Sequence, residues 1–239
     1  MLELEEDNII KNIIELLEGN KIQILKLQKC SSEYFLLIGS LIKNISLHNI
    51  SDKTVIIDQT AISCIIKDLQ YQDAMRQKLE HIETIDDMLL KELKQRLIGH
   101  GGILYSSIIP EITSLNIAQL KLILDEYRLV VDNIQKNLQK LEAHHIEATS
   151  VSITKHLELN PLTNTLIMDI IKRHTLISQL SLDNNHKRKK DIKAVVLKLM
   201  NHYTMQSERD VFNQTFEREI NNCPDNQFEN NQENNIEFF

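Results

Sequence analysis

The sequence predicts an all-α protein: a long antiparallel helical hairpin within an elongated helix bundle, with additional shorter helices. Three observations carry that expectation. The 239 residues include only 5 Gly and 3 Pro, so long segments run without a helix breaker. Ile and Leu recur at three- and four-residue spacing, the period of one helix face rather than of a strand. Two of the unbroken segments are far longer than an ordinary globular helix, which suits an extended bundle or coiled coil.

Residues 1–18 open acidic, suiting the positive end of a helix dipole. Ile9, Ile10, Ile13, Ile14, Leu16 and Leu17 then form an apolar face. Gly19-Asn20 predicts a helix stop. Residues 22–27 read as a short helix rather than a strand. Ser31 or Ser32 is a candidate cap for a helix through Tyr34, Phe35, Ile38, Leu41, Ile42 and Ile45, ending near His48-Asn49.

Ser51 or Asp52 is the candidate cap of one helix running to Leu97. Gly101-Gly102 marks the turn, and Pro110 closes a loop through Ser106-Ser107. Thr113 or Ser114 would cap the second long helix, which carries Leu120 to Leu141. A further break is expected at 157–161, around Pro161, followed by a helix over 162–182. A basic polar connection over 183–190 leads to one last helix over 192–220, with Ser207 as an alternative cap inside it. Residues 221–239 hold seven Asn, four acids and no Lys or Arg, a composition expected to stay disordered. The expected organisation is therefore 1–50, N-terminal helices; 51–147, the hairpin; 148–220, C-terminal helices; and 221–239, an acidic tail.

Composition also excludes function classes. A net charge of −7 opposes broad nucleic-acid affinity, which needs clustered Lys and Arg. Cys30, Cys64 and Cys223 form no C-x-x-C pair, so neither a disulfide framework nor a zinc knuckle is expected. The acidic N-terminus is unlike a secretory signal, and no apolar run reaches the roughly 20 residues of a membrane span. A cytoplasmic protein is expected. His144-His145 are adjacent rather than at ligand spacing, so no metal is expected.

The stretch richest in chemistry is Leu69-Gln-Tyr-Gln-Asp-Ala-Met-Arg-Gln77, inside the first long helix. On a wheel of about 100° per residue, Cys64, Tyr71, Met75 and Ile82 lie opposite Asp73, whereas Gln77 lies roughly 40° from it. Ile62, Ile66 and Leu69 share the side of Asp73. A polar pair on the face away from the core stripe, with an apolar approach, is the candidate site. Its alternative is an ordinary solvated face, with Asp73–Gln77 and Arg76–Glu80 as helix-stabilising pairs.

This string, Leu-Gln-Tyr-Gln-Asp-x-x-x-Gln in mid-helix, resembles the active segment of CheZ-type chemotaxis phosphatases. The hairpin and the acidic-aromatic terminus Asn235-Ile-Glu-Phe-Phe239 are similar to that family's plan. The resemblance implies hydrolysis of an aspartyl-phosphate on a CheY-type response regulator, with Gln77 orienting the water and Asp73 pairing with a regulator lysine. It also implies a homodimer, and no cofactor in this chain: Mg²⁺ would be carried by the partner. Ile62, Ile66, Leu69, Gln72, Arg76 and Glu80 would contact the partner, and Ile236, Phe238 and Phe239 would tether it. Arg76 departs from the family segment, which has small residues before the final Gln. Residues 162–220 have no counterpart there. The alternative class is a helical adaptor or scaffold without chemistry.

Overall fold

The computed structural model describes residues 2–51, 58–99, 105–142, 147–180 and 189–216. Every element among them is helical: α1 (Leu2–Ser51), α2 (Gln59–Leu69), α3 (Tyr71–Leu97), a 3₁₀ turn (Ser106–Ile108), α4 (Ile109–Glu142), α5 (Glu147–Gln179), α6 (Lys189–Met200) and α7 (Gln206–Thr215).

Four helices form an antiparallel bundle in which α1 and α4 each neighbour α3 and α5. Direction follows from the bonded pairs. Lys21 meets Asp87 while Ser32 meets Gln72 across α1 and α3, and Asn116 meets Asp86 while Glu126 meets Lys78 across α4 and α3. The hairpin of α3 and α4 is thus present, but α1 and α5 complete its four-helix core within one chain.

Two apolar clusters fill the bundle. One gathers Ile24, Leu27, Tyr34, Phe35, Ile65, Met75, Leu79, Tyr127 and Ile167. The other gathers Ile10, Ile13, Leu89, Leu93, Ile112, Leu199, Phe212 and Phe216, with α6 and α7 closing it. At their boundary each bundle helix contributes one buried polar side chain: Asn20, Asp86, Asn116 and His174. Asn116 donates to Asp86 Oδ1 at 2.9 Å, Asn20 donates to Asp86 Oδ2 at 3.5 Å, and Asn20 Nδ2 stands 3.2 Å from His174 Nε2. His174 Nε2 also stands 3.4 Å from Asp86 Oδ2, so the imidazole faces both the amide and the carboxyl.

This layer explains why Gly19-Asn20 is not a stop. Asn20 is wholly buried as a layer member, and a Cβ on Gly19 would lie 2.4 Å from the Arg173 guanidinium. The glycine admits a neighbouring side chain, and α1 continues through it. Ser31 and Ser32 cap nothing either: Ser31 bonds back to the Gln28 carbonyl, and Ser32 accepts from Gln72.

The expected single helix over 52–97 is divided. Asp58, not Ser51 or Asp52, caps α2, with Oδ1 accepting from the Thr60 and Ala61 amides. At Gln70 the chain tightens: its amide donates to Lys67 O, and Asp73 N donates to Gln70 O. α3 ends at Leu97, and Gly99, with a φ of 73°, supplies the left-handed position expected just past a helix end. The turn residues Gly101-Gly102 lie outside the described residues.

Other boundaries move for the same reason, that packing outweighs local breakers. Pro110 sits in the first turn of α4, a position that tolerates proline, and the 3₁₀ turn replaces the loop through Ser106-Ser107. Thr113, not a cap, bonds back to the Ile109 carbonyl. Pro161 lies inside α5 on its exposed face, while Thr163 beside it is buried against Cys30 at 3.6 Å. The helix expected over 192–220 is two, α6 and α7. Ser207 does not cap α7; Glu208 Oε2 accepts the Met205 amide instead. The connection over 183–188 and the tail over 221–239 lie outside the described residues.

Candidate functional site

The acidic and amide side chains of α3's first turns form a ladder on the surface. Arg76 Nη2 donates to Asp73 Oδ1 at 2.6 Å, and Arg76 Nη1 donates to Glu80 Oε1 at 2.6 Å. Gln77 Nε2 donates to Asp73 Oδ2 at 2.7 Å. Spacings of three and four residues stack these groups on one helix face. The Arg76 guanidinium first, and the Gln77 amide second, hold the Asp73 carboxyl below its usual range. Asp73 keeps 63% of its side-chain surface in solvent, so it is no member of an internal polar layer.

The neighbouring residues divide. Gln72 turns away from the ladder and donates to Ser32 Oγ on α1 at 3.0 Å. Ile66 is exposed, at 51%. Leu69 is half-buried against the first apolar cluster and approaches Gly39. Ile62, expected on the partner side, is buried at 6%, and Cys64, expected on the core stripe, is exposed. Both corrections have one cause. The buried face of α2 is Ala61, Ile62 and Ile65, whereas that of α3 runs through Met75, Leu79 and Ile82. Across the tightened turn at Gln70 the core side therefore shifts by roughly 100°, about one residue's step. A wheel continued straight through Gln70 cannot register that shift.

Beyond the Gln72–Ser32 bond to α1, the segment is held from α4 and α7. Tyr71 Oη donates to the Ile123 carbonyl of α4 at 3.1 Å. Lys78, almost fully buried, pairs with Glu126 of α4 at 2.5 Å. His81, next to Glu80, has Nδ1 2.8 Å from Oε1 of Glu208 on α7, and Gln119 Nε2 donates to the Glu208 carbonyl. Tyr203 and Glu208 are both buried, and both meet the site helix through His81.

Sequence reasoning missed Ser32 and Leu36 of α1. Leu36 lies on the stripe between Ser32 and Gly39, the two α1 residues that meet Gln72 and Leu69, and is 66% exposed. Nothing local in the sequence brings α1 to residue 72. Ile236, Phe238 and Phe239 lie outside the described residues.

What the arrangement can do chemically is limited and definite. A carboxylate orients an amide on an open helix face beside apolar surface. Two pockets, of about 240 and 540 Å³, lie along α1/α5 and α5. Among the described residues no helix is long and apolar enough to cross a membrane. No family model, curated protein or solved structure matches the chain.

Proposed function

We propose that this protein is a CheZ-like accessory factor that accelerates loss of phosphate from the aspartyl-phosphate of a CheY-type response regulator. The observation that supports it is the bond from Gln77 Nε2 to Asp73 Oδ2 on the exposed face of α3. With its nitrogen engaged, the amide presents its carbonyl oxygen to a water, the geometry an orienting glutamine needs. The water attacks phosphorus, the bond between phosphorus and the regulator's aspartate oxygen breaks, and phosphate leaves with the aspartate restored. Phosphoryl transfer has a loose transition state, so alignment of the nucleophile supplies much of the gain. Mg²⁺ belongs to the regulator. Asp73 holds Gln77 and meets a regulator lysine, while Ile66, Leu69 and Leu36 form the apolar margin the regulator covers. The proposal does not depend on a homodimer, because α1 and α5 already complete the bundle.

The test is phosphate release from a purified CheY-type receiver domain phosphorylated with acetyl phosphate and Mg²⁺. Gln77→Ala is expected to remove most of the acceleration, about 10²-fold for the loss of an aligned nucleophile. Equal rates for wild type and variant would sink the catalytic reading.

A second reading, an adaptor without chemistry, is favoured by the exposed Leu36 and Ile66 together with a ladder whose charges satisfy one another. It predicts that Leu36→Ser and Ile66→Ser abolish partner capture while Gln77→Ala changes nothing.

A further inference from the structure

Arg76 is the one member of the ladder that binds both acids. Its two terminal nitrogens reach Asp73 and Glu80 at 2.6 Å each, one turn below and one turn above. The second Asp73 oxygen holds the Gln77 amide. Both oxygens of the candidate partner-binding carboxylate are thus engaged from within its own helix.

Resting on the phosphatase reading above, we infer that Arg76 is an intramolecular competitor that regulates access to Asp73: a cationic group of the partner competes with the guanidinium for that carboxylate. The displacement is easy in one direction. Asp73, Arg76 and Glu80 keep about half or more of their side-chain surface in solvent, where such pairs are weak and reversible. The released guanidinium also stays on Glu80 and is not stranded. Displacement leaves the Gln77–Asp73 bond intact, because that bond uses the other oxygen. Arg76 therefore sets affinity and selectivity while leaving the orientation of Gln77 alone. The other charged groups of this segment face elsewhere: Lys78 is buried on Glu126, and His81 is held by Glu208.

The competition is read by the split between KM and kcat, using the full chain and the same acetyl-phosphate-treated receiver domain. Arg76→Gln is expected to lower KM about two- to fivefold, the scale of an exposed ion pair, with kcat unchanged. Arg76→Lys keeps the charge but cannot hold both acids in a planar fork, so its KM should fall between the two. An unchanged or raised KM in R76Q, with Gln77→Ala still inactive, overturns the competition and leaves the catalytic reading standing. A KM for R76K equal to wild type assigns the effect to net charge and also overturns it. Wild-type rates in Gln77→Ala remove the catalytic reading, and the competition with it.

Discussion

Replacing Glu92 by alanine is expected to destabilise the fold by about 2–4 kcal/mol, with no bond to the candidate site disturbed. Glu92 is buried at the end of α3, and its two oxygens accept the amides of Tyr105 and Ser106, each at 2.8 Å. These amides begin the 3₁₀ turn that leads into α4, where helical partners are absent. Ser106 is fully buried and Tyr105 nearly so, so removing the carboxylate orphans two donors that water cannot reach. Each unsatisfied group costs roughly 1–3 kcal/mol. Glu92→Gln keeps one acceptor and opposes the other amide with a donor, so it should recover only part of the loss. Urea titration checks this: the midpoint should fall with an unchanged slope. A loss under about 0.5 kcal/mol, within the range of ordinary surface substitutions, would show that the carboxylate does not close this end of the hairpin.

The second large effect is a pH dependence set by the buried layer. Burial pushes the Asp86 carboxyl well above its ordinary range, and burial holds the His174 imidazole down to about 3. In the unfolded chain Asp86 and His174 titrate near about 3.9 and 6.5. His174 stays neutral in the fold where the unfolded imidazole is charged, so its contribution is complete above about pH 6.5 and is lost as pH falls from there toward about 3, at up to about 1.4 kcal/mol per pH unit. Asp86 acts in the opposite sense: the fold keeps a proton that the unfolded chain sheds above about pH 3.9, so its contribution is lost as pH rises through the raised folded value.

Asp86→Asn should make the loss of stability on acidification steeper than in wild type, since His174 alone then differs between the states and the opposing Asp86 contribution is gone. The difference between wild type and variant in urea midpoint, followed from pH 4 to 8, isolates the layer from every other group. Parallel curves would mean that the fold does not raise the Asp86 carboxyl. Lys21, Glu83 and Asp87 flank the layer outside the core and are retained in both proteins, so their contributions cancel in the difference.

The helical class and the hairpin were legible because they rest on local chemistry, namely few breakers and an apolar period near 3.6. The ladder was legible for a similar reason. Asp73, Arg76, Gln77 and Glu80 interact at three- and four-residue spacing, and a helix wheel places them together without any knowledge of the rest of the chain. The errors came where a residue's meaning depends on a distant segment. Gly19-Asn20 looks like a stop until Arg173 and the Asp86 layer are brought against it. Pro161 looks like a break until Thr163 is buried on α1. Ile62 and Cys64 exchanged sides because α2 packs chiefly on α4, and the tightened turn at Gln70 lets it present a different face from α3.

By itself, then, the sequence determined that this chain is helical, that α3 and α4 are long and antiparallel, and that Asp73 and Gln77 share an outward face. Only the tertiary structure decided that the four-helix core is completed within one chain, and that Ser32 and Glu208 hold the site helix. Contacts between helices depend on which buried faces meet and where each helix tightens. A single tightened turn moves a face by one residue's step, which the periodic pattern on either side of it does not record.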